Sequence, residues 1–371
     1  MPDYERNPPV APVEHHGRTR STYAHGPSRR TFLTALASAG ASTFLPTNIR
    51  QAQAAPTDLK LGFIDVHHHV FPPAFLSAAM NQSAGPASLA RVTEWNAQRS
   101  LAEMDENGVA TAVTSITNPG IWFGNAQSAR KLARACNEYS AQIVKDHPGR
   151  FGFFAVIPLP DTEGALREIE YSLDVLNADG IGLMTSYGDK WPGDVGFGAV
   201  FDELNRRRAV VYFHPTAPDC CHQLIRDIPD PLIEFPHDTT RAITSLLYSG
   251  TFSRCRDIRF VFSHAGGTIP MLAGRLTQTG ALFGINRKLP NGVEHELKRL
   301  HYEIANSANR PAMAALMSLV PTTQVLLGTD YPFIPMPATL GELPNLGLSI
   351  ETLHAIRRDN AVALFPRLRA A

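Results

Sequence analysis

Eight short apolar runs alternate with helix-like segments along most of this chain, and this alternation limits its possible folds more than any other feature. The runs cover residues 61–67, 110–116, 151–157, 180–184, 210–214, 258–264, 300–305 and 324–328. Strands that alternate strictly with helices predict a parallel sheet. Eight such units in about 315 residues fit an α/β fold, the (β/α)8 TIM barrel, with some loop insertions.

Helical spacing of apolar residues fills the stretches between the runs. Residues 125–146 form the longest amphipathic segment, and residues 238–249 predict a helix that Asp238 caps. Two longer stretches, residues 70–96 and 216–237, follow strand ends that carry histidines. Long loops at the catalytic end of a barrel commonly act as lids or substrate walls, so we expect that role for both.

The first 55 residues have the features of an export signal rather than of a fold. Residues 28–33 read SRRTFL, which matches the twin-arginine pattern, and residues 32–45 are mildly apolar. Residues 52–54 read AQA and offer a small-x-small cleavage site. We therefore predict a twin-arginine leader over residues 1–55, export to the periplasm by that machinery, and a single barrel domain over residues 56–371. A disordered tail with a chance arginine pair, and hence a cytoplasmic protein, is the alternative.

Composition excludes several classes of protein. The formal net charge is zero, so no basic surface argues for a nucleic-acid partner. The apolar stretch in the leader is too short for a permanent membrane span. The chain has four cysteines, at irregular spacing, which predicts buried or incidental thiols rather than a disulfide framework or a zinc ribbon.

Five polar residues stand where the predicted strands end. His67 and His69 close the first run, His214 the fifth and His264 the sixth, and Asp330 follows the last. Barrel enzymes build their active sites at the carboxyl ends of the strands. Imidazole and carboxylate groups that converge there can hold a divalent metal ion with one position open.

The histidines carry this prediction together rather than singly. Side chains alternate along a strand, so His67 and His69 face one way and His68 the other. A lone His214 is more commonly a core histidine bonded to a carbonyl than a ligand, and a triple histidine by itself is weak evidence. Four strand exits with metal-capable or acid–base groups are harder to explain without a site, because buried polar groups are rarely idle.

With these motifs in place, the chain resembles the amidohydrolase superfamily, in the branch of aminocarboxymuconate-semialdehyde decarboxylase. The matching segments are 65–69 (DVHHH), 214–215 (HP), 263–267 (SHAGG) and 328–333 (GTDYPF), in the expected order. The resemblance implies a metal-dependent TIM barrel in which His67, His69, His214 and Asp330 bind one metal. It also implies that His264 and Asp330 are catalytic, and it suggests a homodimer.

The number and kind of metal ions follow in part from the sequence. Many two-metal members of the superfamily carry a bridging lysine at the fourth strand exit, where residues 182–186 here read GLMTS and Lys190 comes later. The absence of that lysine favours one divalent ion. Zinc is our first expectation and manganese the second, since both accept histidine and carboxylate ligands.

The reaction that these groups favour is non-oxidative decarboxylation of a small aromatic or unsaturated carboxylic acid. A metal can polarise a substrate oxygen, and His264 can move a proton near neutral pH. A hydrolase, lactonase or hydratase acting on a related acid would need the same groups, so it stays open. The alternative without catalysis is a metal- or ligand-binding barrel of the cell envelope.

Further residues are weaker candidates for binding the substrate. Arg241 could pair with a carboxylate, although a surface arginine is an equally good interpretation. Trp191, Phe71 and Phe333 follow strand exits and could form the wall of an apolar pocket or merely pack loops. Asn306 lies at the seventh strand exit and could face the ligand.

Overall fold

The computed structural model describes residues 62–81 and 89–370. The leader predicted over residues 1–55 lies outside the described residues. Eight strands form one sheet in chain order. They are β1 (Phe63–His69), β2 (Val109–Ser115), β3 (Phe151–Val156), β4 (Gly180–Met184), β5 (Val210–His214), β6 (Arg259–Phe262), β7 (His301–Glu303) and β8 (Val325–Leu326).

Every neighbouring pair from β1 to β8 is parallel. Backbone hydrogen bonds also join β1 to the chain after β8 and close the sheet into a barrel. The Val66 amide donates to the Leu327 carbonyl over 2.9 Å, and the His69 amide donates to the Tyr331 carbonyl over 2.9 Å. The predicted TIM barrel is therefore confirmed. Because all strands run the same way, their carboxyl ends meet on one face.

Helices connect the strands. They are α1 (Pro73–Met80), α2 (Ala97–Glu106), α3 (Ala126–Asp146), α4 (Thr162–Asp174), α5 (Gly198–Arg206), α6 (Asp230–Ser249), α7 (Thr251–Arg254), α8 (Ile269–Leu282), α9 (Val293–Lys298), α10 (Arg310–Leu319), α11 (Pro337–Leu340), α12 (Ile350–His354) and α13 (Asn360–Leu364). Among the described residues, no helix is both long and apolar enough to cross a bilayer.

The strands are apolar on both faces because each is covered twice. In β5, Val210 and Tyr212 belong to the cluster that fills the barrel, together with Leu364 and Phe365 near the end of the chain. Val211 and Phe213, which alternate with them along the strand, belong instead to the layer between strands and helices. This double burial explains why the strands are near-continuous apolar runs in the sequence.

A buried aspartate strengthens the seam between β1 and the chain after β8. Asp65 accepts hydrogen bonds from the Thr329 amide at 3.0 Å and from the Thr329 hydroxyl at 2.6 Å. It also accepts from the His67 amide at 3.1 Å. Strand β8 has only two residues, so these side-chain bonds supply much of the connection that its short ladder lacks. The same bonds fix the backbone that enters Asp330.

One helix start was predicted wrongly. Helix α6 begins at Asp230, so part of the predicted loop 216–237 is helical, and Asp238 lies inside the helix rather than at its cap. The prolines of this stretch suggested a loop, but Pro231 stands in the first turn, where proline costs no hydrogen bond. Helix α1 likewise occupies part of the predicted loop 70–96.

The cysteine prediction is half right. Cys136 and Cys255 are buried free thiols, as expected. Cys220 and Cys221, however, form a disulfide with each other in the loop after β5. A pair of adjacent residues is joined through local backbone geometry, so the irregular spacing of the four cysteines carried no information about it.

The stacked aromatic rings outside the barrel predict a measurable stability cost. Phe213 is fully buried, and its ring centroid lies 4.7 Å from that of Phe262. We expect Phe213→Ala to lower the free energy of unfolding by about 3–5 kcal/mol, because it leaves a cavity. Urea denaturation measures this loss, with Phe283→Ala as control, since Phe283 is 75% exposed. Equal stability of the two variants would contradict the packing described.

Candidate metal centre and active site

Four side chains from three parts of the barrel converge on its carboxyl face. His67 and His69 come from the end of β1, His214 from the end of β5, and Asp330 from the turn after β8. All four are buried, and one possible ligand atom from each lies within 4.8 Å of all the others. The strand exits therefore bring together the set that the sequence predicted.

The spacing of these atoms fits a metal ion. His67 Nε2 lies 3.2 Å from His69 Nε2 and 3.3 Å from Asp330 Oδ1, and His69 Nε2 lies 3.0 Å from Asp330 Oδ1. Metal–ligand bonds of about 2.0–2.1 Å in a tetrahedron put neighbouring ligand atoms about 3.3 Å apart. His67, His69 and Asp330 have this spacing, and His214 offers a ligand atom within 4.8 Å of theirs, so the three imidazoles and one carboxylate form a buried site for one divalent ion.

Backbone carbonyls orient two of the imidazoles. His69 Nδ1 donates to the Ser115 carbonyl over 3.2 Å, and His214 Nδ1 donates to the Pro215 carbonyl over 2.8 Å. Each bond places the ring proton on Nδ1 and leaves Nε2 free as a ligand. His68, in contrast, bonds to Asp65 and Ser100, so it faces away from the site as the alternation predicted.

A buried glutamate missed by the sequence analysis holds the third imidazole. Glu303 Oε1 accepts from His67 Nδ1 at 2.8 Å and from the His264 amide at 2.7 Å. Its other oxygen accepts from the Ala305 amide at 2.6 Å. An acidic residue inside the apolar run 300–305 was the available signal, since unpaired acids are rarely fully buried.

Gly328 makes room for this glutamate. A Cβ atom at position 328 would clash with Glu303 Oε2 and would lie 2.9 Å from the Cβ of His67. Only glycine therefore lets the chain just after β8 pass so close to both side chains.

The carboxylates and imidazoles of the site shift one another's pKa values, so that His67 is protonated and Asp330 is ionised. Burial alone would lower the pKa of His67, but the carboxylates of Glu303 and Asp330 outweigh burial and raise that pKa to about 10. Burial opposes the ionisation of Asp330, yet His67 and His69 hold the pKa of Asp330 well below its usual value. Without metal, His67 and Asp330 are thus an ion pair.

The other two imidazoles are neutral ligands from the start. Burial is the main cause that lowers the pKa of His69, and the Asp330 hydrogen bond only partly opposes it. Burial, together with the neighbouring His69 and His67, holds the pKa of His214 well below its usual value. Neither imidazole has to lose a proton at neutral pH to bind a metal ion.

His264 lies beside this cluster in a strained backbone conformation. Its Nδ1 donates to the Ala305 carbonyl over 2.9 Å, and its ring centroid lies 5.1 Å from that of His67. The φ angle of His264 is 52° and that of Asp330 is 65°, both in the left-handed region. Non-glycine residues rarely adopt this region, and such residues concentrate at active sites.

Three of the weaker candidates contact the site. Asn306 Nδ2 donates to Asp330 Oδ2 over 2.8 Å, so Asn306 holds the second carboxylate oxygen. The rings of Phe71 and Phe333 lie 6.3 Å and 5.2 Å from that of His69. These two aromatic side chains form an apolar wall next to His69.

The other two weak candidates contact acidic side chains of α6 rather than the metal site. Trp191 Nε1 donates to Asp238 Oδ1 over 2.7 Å. Arg241 lies 3.6 Å from Glu234 and 3.8 Å from Asp238, so its charge is shared by acids of its own helix. Asp238, expected as a cap, instead accepts hydrogen bonds from the chain after β4. Substrate contact by Trp191 or Arg241 stays a prediction.

Comparison with known families agrees with this geometry. The profile of the Amidohydrolase family matches residues 64–367, which spans the whole barrel and all four metal-site residues. The chain belongs to the amidohydrolase family. The resemblance inferred from the sequence motifs is thereby confirmed.

Two proteins of similar sequence and one solved structure of similar fold show which members of the family this chain resembles. It is 36% identical over 325 residues to the decarboxylase yanB of Aspergillus niger, covering 82% of this chain and 88% of that protein. It is 35% identical over 326 residues to the 6-methylsalicylic acid decarboxylase acuB of Aspergillus aculeatus, covering 83% and 97%. A dihydroxybenzoic acid decarboxylase from a Polaromonas species, solved with manganese and 2-nitroresorcinol, has the same fold, with a TM-score of 0.72, 21% identity and coverage of 83% and 98%.

The ion pair in the metal-free site predicts proton release when metal binds. Below pH 10 His67 carries a proton that the metal must displace, so uptake of one ion at pH 7.5 should release about one proton, and the affinity should rise with pH. Calorimetry in buffers of different ionisation enthalpy measures this proton. His67→Ala should release none and retain little metal by elemental analysis. Full metal retention by His67→Ala would remove it from the ligand set.

The three bonds to Glu303 predict a role in metal affinity. Glu303→Gln keeps the size of the side chain but replaces one oxygen by an NH2 group. Both oxygens of Glu303 accept hydrogen bonds, so the NH2 group would face a donor and lose at least one of these bonds. We expect about 10- to 100-fold weaker metal binding, in the range found for other groups that orient metal ligands. Glu296→Gln is the matched control, since Glu296 is equally buried but pairs with Arg256 and Arg299. Equal metal affinity in both variants would refute the role of Glu303.

Proposed function

We propose that this amidohydrolase is a metal-dependent carboxy-lyase that removes carbon dioxide from a small 2-hydroxybenzoic acid without an oxidant. The observation that carries the proposal is the buried set of three histidines and one aspartate, with His264 held next to it. The relatives that are 36% and 35% identical to this chain are named decarboxylases, one of them for 6-methylsalicylic acid.

The sequence-based prediction of a decarboxylase is confirmed at the level of the reaction class. Relatives named as decarboxylases, one of them for 6-methylsalicylic acid, cover most of the chain, and a more distant relative also carries this reaction in its name. This evidence does not favour the hydrolase, lactonase or hydratase alternative. It also speaks against a barrel that only binds metal or ligand.

The residues of the chain divide the chemistry between them. A divalent metal held by His67, His69, His214 and Asp330 would supply a positive centre that polarises the oxygens of the bound acid. His264 gives a proton to the ring carbon that bears the carboxylate. The carbon–carbon bond then breaks, its electron pair returns to the ring, and carbon dioxide leaves. The proton gained and the carboxylate lost balance without a redox partner.

Asp330 has a second task in this proposal. Its Oδ1 faces His67 and His69, while Asn306 holds its Oδ2. Because its pKa is well below the usual value, the Asp330 carboxylate is negative at neutral pH in the site as the protein forms it. Asp330 therefore presents a negative charge beside His264, the residue that supplies the proton in this proposal.

The identity of the metal is part of the proposal. Histidine and carboxylate ligands suit zinc, our first expectation, and also manganese. The dihydroxybenzoic acid decarboxylase structure contains manganese, which supports the second ion. Elemental analysis of the purified protein, followed by reloading of the metal-free protein with each ion, decides between them.

Export to the periplasm is also a proposal. The SRRTFL motif in residues 28–33 carries it, together with the small-x-small sequence AQA at residues 52–54. Mass spectrometry of the periplasmic fraction would detect a chain that lacks residues 1–54. A full-length chain found only in the cytoplasm would contradict export. The homodimer suggested by the resemblance stays a prediction.

The proton transfer assigned to His264 gives a sharp test. His264→Ala should keep the metal but lower kcat for release of carbon dioxide from 6-methylsalicylate by about 10²- to 10⁴-fold, the usual contribution of a positioned acid. Carbon dioxide release and elemental analysis measure the two quantities separately. His295→Ala is the control, since His295 contacts Arg256 on the surface. Unchanged turnover in His264→Ala would exclude it as the proton donor.

A further inference from the structure

A large cavity opens on the carboxyl face of the barrel, and we call it the chamber. Its volume is about 1020 Å³, and it lies among the loops that follow β2, β4 and β5 and the first turns of α6. Apolar side chains form much of its wall: Ile121, Trp122, Phe123, Met184, Tyr187 and Phe235. The volume is at the upper end of the range for pockets that hold drug-sized ligands.

The chamber adjoins the metal centre. The ring of Phe235 lies 6.3 Å from that of His214. Met184, at the end of β4, lies opposite His214 in the strand register. A ligand whose carboxylate lies at the metal centre can therefore extend past Met184 and Phe235 into the chamber.

The charges of the chamber exclude a second acidic group on that ligand. Among the described residues that line it, none is lysine or arginine, whereas Asp219 and Asp230 are acidic. Asp230 accepts from His222 Nδ1 at 2.9 Å and from the Gln223 amide at 2.8 Å, so these two donors are already used. A buried second carboxylate would have no charged partner and would lose hydration.

Polar contact is available nearest to the barrel. The Thr216 hydroxyl donates to Asn118 Oδ1, which leaves the amide NH2 of Asn118 as a donor towards a ring substituent. Both residues line the chamber. The chamber thus combines one polar edge with broad apolar walls.

We propose that the preferred substrate is a 2-hydroxybenzoate with a single carboxylate and an apolar substituent of several carbons, and that the chamber binds this substituent. The proposal rests on the proposed function, because it assumes that the carboxylate lies at the metal centre. A single-ring acid with only a methyl group would leave most of the chamber to water. An alkyl chain would bury its surface against Trp122, Phe123 and Phe235.

Binding of a graded series of acids tests this inference without turnover. Calorimetry on the metal-loaded His264→Ala variant, which should keep the metal but turn over slowly, would use 2-hydroxybenzoate and its 6-methyl, 6-propyl and 6-pentyl derivatives; the unaltered protein is kept for the turnover assay. We expect Kd to fall by about fourfold for each added methylene, the gain for a CH2 group that leaves water. A parallel assay of carbon dioxide release gives kcat/KM for the same acids.

Two variants alter the chamber in opposite ways. Trp122→Ala removes apolar wall and should weaken the dependence of Kd on chain length. Ala217→Phe fills part of the space, since Ala217 lines the chamber, and should weaken binding of the pentyl derivative at least tenfold while sparing 2-hydroxybenzoate. Phe283→Ala, on the exposed end of α8, should leave the whole series unchanged.

The possible results separate the two proposals. Equal Kd values across the series, or tighter binding of 5-carboxy-2-hydroxybenzoate than of the propyl derivative, would overturn the inference about the chamber. Carbon dioxide release with no effect of chain length would keep the proposed function and reject the chamber. Binding that improves with chain length, but without any carbon dioxide release, would support the chamber as an apolar subsite and reject decarboxylation.

Discussion

The site at the carboxyl ends of the strands depends on the hydrogen bonds that the buried carboxylate of Glu303 accepts. A buried negative charge must be matched by donors, and here they are one imidazole and two backbone amides rather than a lysine or arginine. These donors come from β1, from the turn after β6 and from the chain after β7. One side chain thus fixes the position of His67, the backbone of His264 and the carbonyl that orients the His264 ring.

The site is assembled by protein contacts before any metal is considered. Asp65 binds β1 to Thr329, so Asp330 emerges at a fixed place opposite His67 and His69. His264, Asn306 and Asp330 have φ angles of 52°, 55° and 65°, which cost on the order of 1–3 kcal/mol each. The surrounding hydrogen bonds offset this cost and hold the ligand side chains in place.

The sequence was sufficient for the barrel and for the residues at its strand exits. Apolar runs that alternate with helices have few solutions, and polar side chains at the exits of parallel strands must share one face. His67, His69, His214 and Asp330 were found for that reason. Glu303 and Asp65 were missed as structural anchors, because their partners lie up to 264 residues away in the chain. The start of α6 was missed because prolines 231 and 236 indicate a loop when tertiary packing is unknown.

Gly328 sets a limit on how this active face can change. One carbon added there would clash with Glu303 and crowd the Cβ of His67, although glycine has no side chain that could bind a metal. The chamber walls belong to loops and can be exchanged one side chain at a time. Substitutions, whether they arise by natural drift or in a laboratory library, are therefore tolerated in the loops but hardly at all at position 328.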